Sequence, residues 1–163
     1  MESFHEYINE YKKQLEKGDI KKAYRGLMDY IKGLRLYFKN NYPDYFVSGN
    51  IYHGYMDMTY FSFFPDSLKR CKLKVALVFI HDTCRFEVWL AGYNKQIQTK
   101  YWKLFKESDW NKYCILSTTK GDSIIEYILV DPPDFSDLDT LTKQIEKKTL
   151  KFIKDVEEFL SNH

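Results

Sequence analysis

The chain has 163 residues, with 25 basic and 23 acidic side chains for a net charge of +2, and 18% of it is phenylalanine, tyrosine or tryptophan. At that length a single domain burying roughly 70% of its unfolded surface is the simplest organisation, and the near balance of charge excludes the basic excess that marks a nucleic-acid binder. Three scattered cysteines, Cys71, Cys84 and Cys114, suit a reducing compartment; with neither a signal-peptide pattern in MESFHEYINEYKK nor a membrane-spanning run, a cytoplasmic protein is expected.

Ser3 and Glu6 form an S-x-x-E capping box, and Phe4, Tyr7, Ile8, Tyr11 and Leu15 continue at helical spacing. Gly18-Asp19 breaks this helix. Ile20, Tyr24, Leu27, Ile31, Leu34 and Phe38 then mark a second one, running to about Lys39 and ended by Asn40-Asn41 and Pro43. The short break predicts an antiparallel helix pair. Ile51 to Phe64 reads as one long strand, with His53, Tyr55, Asp57, Thr59 and Phe61 on one face and Tyr52, Met56, Met58 and Tyr60 on the other. Pro65 stops it, and Asp66 to Arg70 makes a polar connection of about one helical turn.

The stretch KLKVALVFIHDTCRFEVWLAG, Lys72 to Gly92, predicts a hairpin turning at Asp82-Thr83. In that register Phe79 faces Phe86, Leu77 faces Val88 and Val75 faces Leu90, so these six side chains form one wholly apolar face. The opposite face holds Ala76, Val78, Ile80, Trp89 and Ala91, interrupted by Arg85 and Glu87. A hairpin apolar on both faces is expected inside a sheet covered on both sides.

Asn94 caps a mid-chain helix with Ile97, Tyr101, Leu104 and Phe105 on its buried side. Tyr113 to Ser117 and Ser123 to Val130 read as short strands around a Lys120-Gly121-Asp122 loop. Asp131-Pro132-Pro133-Asp134 is a hard stop, and Ser136 with Asp139 resembles a second capping box before a helix ending near Leu160. The lysines of that helix read as a solvated face. The expected fold is therefore one α+β domain over residues 1–163. It has a mixed, mainly antiparallel sheet of about five strands, with two N-terminal helices, one mid-chain helix and a C-terminal helix packed against it.

Chemistry-bearing residues are sparse. His5, His53, His81 and His163 do not cluster, Cys84 has only His81 across the turn and no oxyanion hole, and the Lys120-Gly121-Asp122 loop lacks phosphate-loop spacing. The sequence leaves any cofactor unknown, and no metal set is evident. The most informative place is the interruption on the hairpin, where a charged pair beside Trp89 is costly under cover unless mutually satisfied. Arg85, Glu87 and Trp89, with Asp57 and Tyr55 from the preceding strand, are the candidate pocket. Asp57 and Glu87 on adjacent strands are also the pair that a divalent metal would need. The aromatic run from Tyr52 to Phe64 reads as core and rim rather than as a platform for stacking bases.

The order helix, three strands, helix, strand is similar to the core of the PD-(D/E)XK nuclease fold. That resemblance implies an acid-x-lysine motif on the third strand, where this chain has Glu87-Val88-Trp89. Trp89 stands in the lysine's place and Asp82 falls in the turn, which fits an inactive relative better than an active nuclease. The segments YHGYMDMTYFSFFP (Tyr52 to Pro65), RFEVWLAGYNKQIQTKYW (Arg85 to Trp102) and DFSDLDTLTKQIE (Asp134 to Glu146) resemble a family of small bacterial proteins described only as a domain of unknown function. That likeness covers nearly the whole chain and implies no activity or site residue. The expected function is a non-enzymatic module binding a small molecule or a protein on the Arg85-Glu87-Trp89 face; the alternative is a degenerate or metal-dependent nuclease-like protein.

Overall fold

In a computed structural model, which describes residues 3–118 and 121–163, the Ser3 hydroxyl accepts from the Glu6 amide and the Glu6 carboxylate accepts from the Ser3 amide. This capping box opens helix α1 (Phe4–Lys17) as expected, and Gly18, at φ 85°, closes it in the left-handed conformation open to glycine. Helix α2 (Asp19–Asn41) begins on the next residue. The chain forms two compact units, Met1–Tyr37 and Phe38–His163.

In the first unit the expected antiparallel helix pair does not form. An αα-hairpin needs a loop of about two to five residues, and Gly18 is a single one. α1 buries none of its residues; Phe4, Tyr7, Ile8 and Tyr11 are 46% to 79% exposed.

The second unit holds the end of α2, strands β1 (Phe46–Val47) and β2 (Met58–Phe64), helix α3 (Asp66–Arg70), the hairpin β3 (Leu73–Ile80) and β4 (Arg85–Gly92), helix α4 (Lys95–Glu107), strand β5 (Ile125–Val130) and helix α5 (Leu138–Ser161). The five strands lie in the sheet in chain order, and every pairing is antiparallel. An α+β fold with a five-stranded sheet is thus present, with the hairpin at its centre. The hairpin register is the expected one: Val75 pairs with Leu90, Leu77 with Val88 and Phe79 with Phe86.

Those six side chains are all buried, and Phe61 joins them by pairing with Leu77. Full burial is worth about 1.5–3 kcal/mol for each large apolar side chain, before the entropy of ordering it. Helices cover this face through aromatic contacts. Phe38 near the end of α2 sits 4.5 Å from Phe63, and Phe105 of α4 stacks on Phe159 of α5 at 4.2 Å. The opposite face corrects the expectation of a sheet covered on both sides. Val78 and Glu87 are buried at its centre, but Ala76, Ile80, Arg85, Trp89 and Ala91 stay half-exposed.

Three boundaries also differ. The long strand expected from Ile51 begins only at Met58: residues 52 and 60 form an antiparallel bridge, so the chain reverses between them. Gly54 at φ 78° makes that reversal possible, because the Met58 carbonyl lies 2.0 Å from where a Cβ would stand. The expected strand Tyr113–Ser117 is reduced to one bridge, Ile115 to Ile125. Asp137, not Ser136, caps α5 by accepting from the Thr140 amide, while the Ser136 hydroxyl donates to Asp134. Lys120, placed by the sequence in a loop before β5, lies outside the described residues. No helix among the described residues is long and apolar enough to cross a membrane.

Candidate functional site

Side chains two residues apart on a strand share a face, and β4 uses this to align Arg85, Glu87 and Trp89. Glu87 is only 5% exposed, so its carboxylate needs partners. It has one on each oxygen: Arg85 Nε donates to Oε2 at 2.8 Å and Trp89 Nε1 donates to Oε1 at 2.8 Å. Arg85 reaches on to Asp131 at 3.4 Å. The charge that breaks the apolar pattern of the hairpin is therefore satisfied within its own strand and by the segment after β5. What this leaves is a tryptophan whose N–H is anchored and whose ring is half-exposed.

Beside Trp89 the face is concave. A cavity of about 410 Å³ is lined by the Tyr52, Tyr60 and Trp89 side chains, with Met58, Ala76, Val78 and Ala91 as its apolar floor and Ser62, Lys74 and Asp122 as polar groups. The reversal at Gly54 brings Tyr52 back onto Tyr60, with ring centroids 5.0 Å apart and 32° between the planes. Burial pushes the Tyr60 phenol above its ordinary pKa, and Tyr52 and the negative charge of Asp122 add to that.

Asp122 is held from the other side of the sheet edge. Gln98, buried in the first turns of α4, donates from Nε2 to the Gly121 carbonyl at 2.8 Å and accepts from the Gly92 amide at 3.3 Å; Lys95 Nζ also donates to the Gly121 carbonyl at 2.7 Å. Gly92 is required there, because a Cβ would stand 2.4 Å from the Gln98 nitrogen. Across the strand pair, Glu126 lies opposite Trp89. Desolvation pushes the Glu126 carboxyl up; a hydrogen bond from Ser123 opposes this, and the charges of Glu87 and Asp122 add to it. Glu126 is exposed, so these effects are moderated by screening.

The structure brings Arg85, Glu87 and Trp89 together and leaves Asp57 and Tyr55 out. Tyr55 is 89% exposed on the reversal. The Asp57 carboxylate accepts from the Tyr55 and Met58 amides at 2.8 and 2.7 Å, and these bonds hold its pKa below the usual carboxylate range. It is a turn-closing group in front of β2 rather than a strand residue facing Glu87. His81, in the hairpin turn, is half-buried. Its Nε2 meets Thr59 Oγ1 at 2.8 Å, and because that hydroxyl donates to the His53 carbonyl, the ring nitrogen is the donor. Among the described residues there is no group of three or more His, Cys, Asp or Glu side chains suited to a metal ion.

Sequence reasoning missed Asp122 and Glu126. Glu126 was in principle accessible through the register of β5 against β4. Asp122 was not, because its place over the sheet depends on Gln98, which holds the neighbouring Gly121 carbonyl across a separation of 23 residues that no local pattern records.

Residues 4–160 match the model of a family described as a domain of unknown function. Among curated proteins nothing matches the chain, and no solved structure matches it either.

Proposed function

The chain belongs to that family, DUF7000, and we propose that it is a non-enzymatic binding module whose ligand, a small organic molecule, sits on the half-exposed face of the sheet beside Trp89. The observation that carries this reading is the cavity of about 410 Å³ lined by three aromatic side chains on the half-exposed face of the sheet. Its size is within the range of small-molecule sites, and it combines an apolar floor with few polar groups. Two further features favour binding over catalysis. Glu87 has both oxygens committed to Arg85 and Trp89, and Asp57 is committed to backbone amides. Neither carboxylate is placed to share a metal with the other, as the nuclease-like alternative needs.

The test is a fragment screen followed by protein NMR, reading the Trp89 indole N–H and the amides of Ala76 and Ala91. Fragments are expected to shift these signals together and to raise the melting temperature. Hits that consistently leave all three unmoved would reject the site. Added Mg²⁺ or Mn²⁺ is expected to support no cleavage of DNA or RNA, and cleavage abolished by Glu87→Gln would favour the nuclease-like reading instead.

A further inference from the structure

We propose that the cavity beside Trp89 accepts a small organic cation, an alkylammonium group seated against the Tyr52, Tyr60 and Trp89 rings with Asp122 as its counter-charge. This rests on the reading of that cavity as the ligand site and adds the chemical class of the ligand. The rings are the first reason. Aromatic faces carry the negative side of the ring quadrupole, and a cation within about 6 Å of the centroid is attracted to them. Three such residues line one cavity, and two of them, Tyr52 and Tyr60, are already paired at 5.0 Å.

The second reason is how Trp89 is held. Its only polar group, the indole N–H, donates to the Glu87 carboxylate at 2.8 Å. The bond fixes the ring plane, so no ligand acceptor is needed there, and what Trp89 can offer a ligand is its π face. A carboxylate on the N–H also draws the proton outward and leaves the ring richer in electrons, which strengthens its hold on a cation.

The third reason is the balance of charge around the cavity. Asp122 lines it, and Glu126 pairs opposite Trp89. Three cations are near, and each has a partner of its own; the Lys95 ammonium donates to the Gly121 carbonyl at 2.7 Å. Arg85 is ion-paired with Glu87 and Asp131. Lys74 lines both this cavity and the neighbouring groove, and its ammonium lies 5.5 Å over the Tyr93 ring on the groove side. An anionic ligand would meet like charge at Asp122. A neutral apolar ligand would remove water from that carboxylate and return nothing. An ammonium with methyl or methylene groups satisfies both the carboxylate and the floor of Met58, Ala76, Val78 and Ala91. Burial is the main cause of the upward shifts of the Tyr60 phenol and the Glu126 carboxyl, and the charge of Asp122 adds to both.

The experiment titrates the intact chain with three molecules of nearly one shape: choline chloride, its neutral isostere 3,3-dimethyl-1-butanol, and the anionic isostere 4,4-dimethylpentanoate. The readout is the Trp89 indole N–H signal, assigned with Trp89→Phe. Choline is expected to give a saturable shift, the alcohol to bind at least about tenfold more weakly, and the carboxylate to give no saturable shift. Asp122→Asn should weaken choline about five- to tenfold and leave the alcohol unchanged. The comparison of isosteres uses the unmutated protein, so it stands even if the variant folds poorly. Equal binding of choline and the alcohol, or tighter binding of the carboxylate, overturns the cation while leaving the cavity a ligand site. Silence from all three while fragments still move Trp89 overturns it in the same way; silence from fragments as well removes the site itself.

Discussion

One hairpin presents two faces, and they are built to different rules. On the helix-covered face Val75, Leu77, Phe79, Phe86, Val88 and Leu90 pair with one another across the hairpin and are buried throughout. On the other, drawn from the same two strands, a salt bridge, a half-exposed tryptophan and a cavity occupy the equivalent positions. The composition of the two faces is similar enough that apolarity alone does not separate them. What separates them is the presence of a helix layer over one, and of Tyr52 and Asp122 at the rim of the other. A residue such as Trp89 is thus core by type and surface by position.

The two buried carboxylates among the described residues repeat the contrast. Asp155 on α5, 5% exposed, accepts from the Tyr113 hydroxyl at 2.7 Å and from Lys151 at 3.0 Å, with Lys112 at 3.4 Å. These are donors from α5 itself and from the segment after α4, so Asp155 ties pieces of the helical side together. Glu87 is satisfied mainly within its own strand, and its partners orient a ring.

The largest expected difference between the faces is in packing. Phe86→Ala should lower the unfolding free energy by about 3–5 kcal/mol, the range for removing a buried aromatic. Trp89→Phe should cost about 1–1.5 kcal/mol, chiefly for the acceptor left on Glu87. Urea denaturation measures both, and equal losses would mean that the open face is core after all.

Smaller in size is the effect of Asp155→Asn, expected to cost about 1–3 kcal/mol at neutral pH. Burial alone would raise the Asp155 pKa; the hydrogen bonds from Tyr113, Lys151 and Lys112 overcome this and hold it below the ordinary value. A carboxyl lowered on folding stabilises the protein fully above its unfolded value of about 4, and loses that contribution as pH falls through the lower folded value. The gap between Asp155→Asn and the unmutated protein should therefore close in strong acid. A gap that stays constant down to pH 2 would remove the charged state from the explanation.

Glu126→Gln should have the smallest effect and the opposite sign. The Glu126 carboxyl is raised on folding, so the folded protein holds its proton longer than the unfolded chain. Stability then declines as pH rises from the unfolded value through the folded one, and the loss persists at neutral pH. Replacing the charge should stabilise the protein by a few tenths of a kcal/mol at pH 7, given how exposed the side chain is. No change should appear below about pH 4. Melting curves at the two pH values check this.

Much of the fold was legible because it rests on short-range rules. The Ser3 and Asn94 caps and the hairpin register follow from side-chain spacing and a defined turn. The strand expected from Ile51 failed because its aromatic alternation continues unbroken through a reversal made by Gly54 and the Asp57 side chain. At the site, the mutual pairing of Arg85 and Glu87 and their closeness to Trp89 were readable from a period of two. The cavity was not, since it needs Tyr52 folded back from that reversal and Asp122 delivered by Gln98. Those placements are tertiary, and local periodicity carries no record of them.

The order of strands in the sheet, identical to their order in the chain, has a kinetic consequence. Each ladder closes between neighbours in sequence, so little loop entropy is lost before contacts compensate it, and such local topologies fold fast. The longest closure brings β5 to β4 across α4, and it is the one that carries Asp122 to the rim. The apolar scaffold can therefore assemble from the hairpin outward, while the rim of the cavity beside Trp89 is among the last features to be completed.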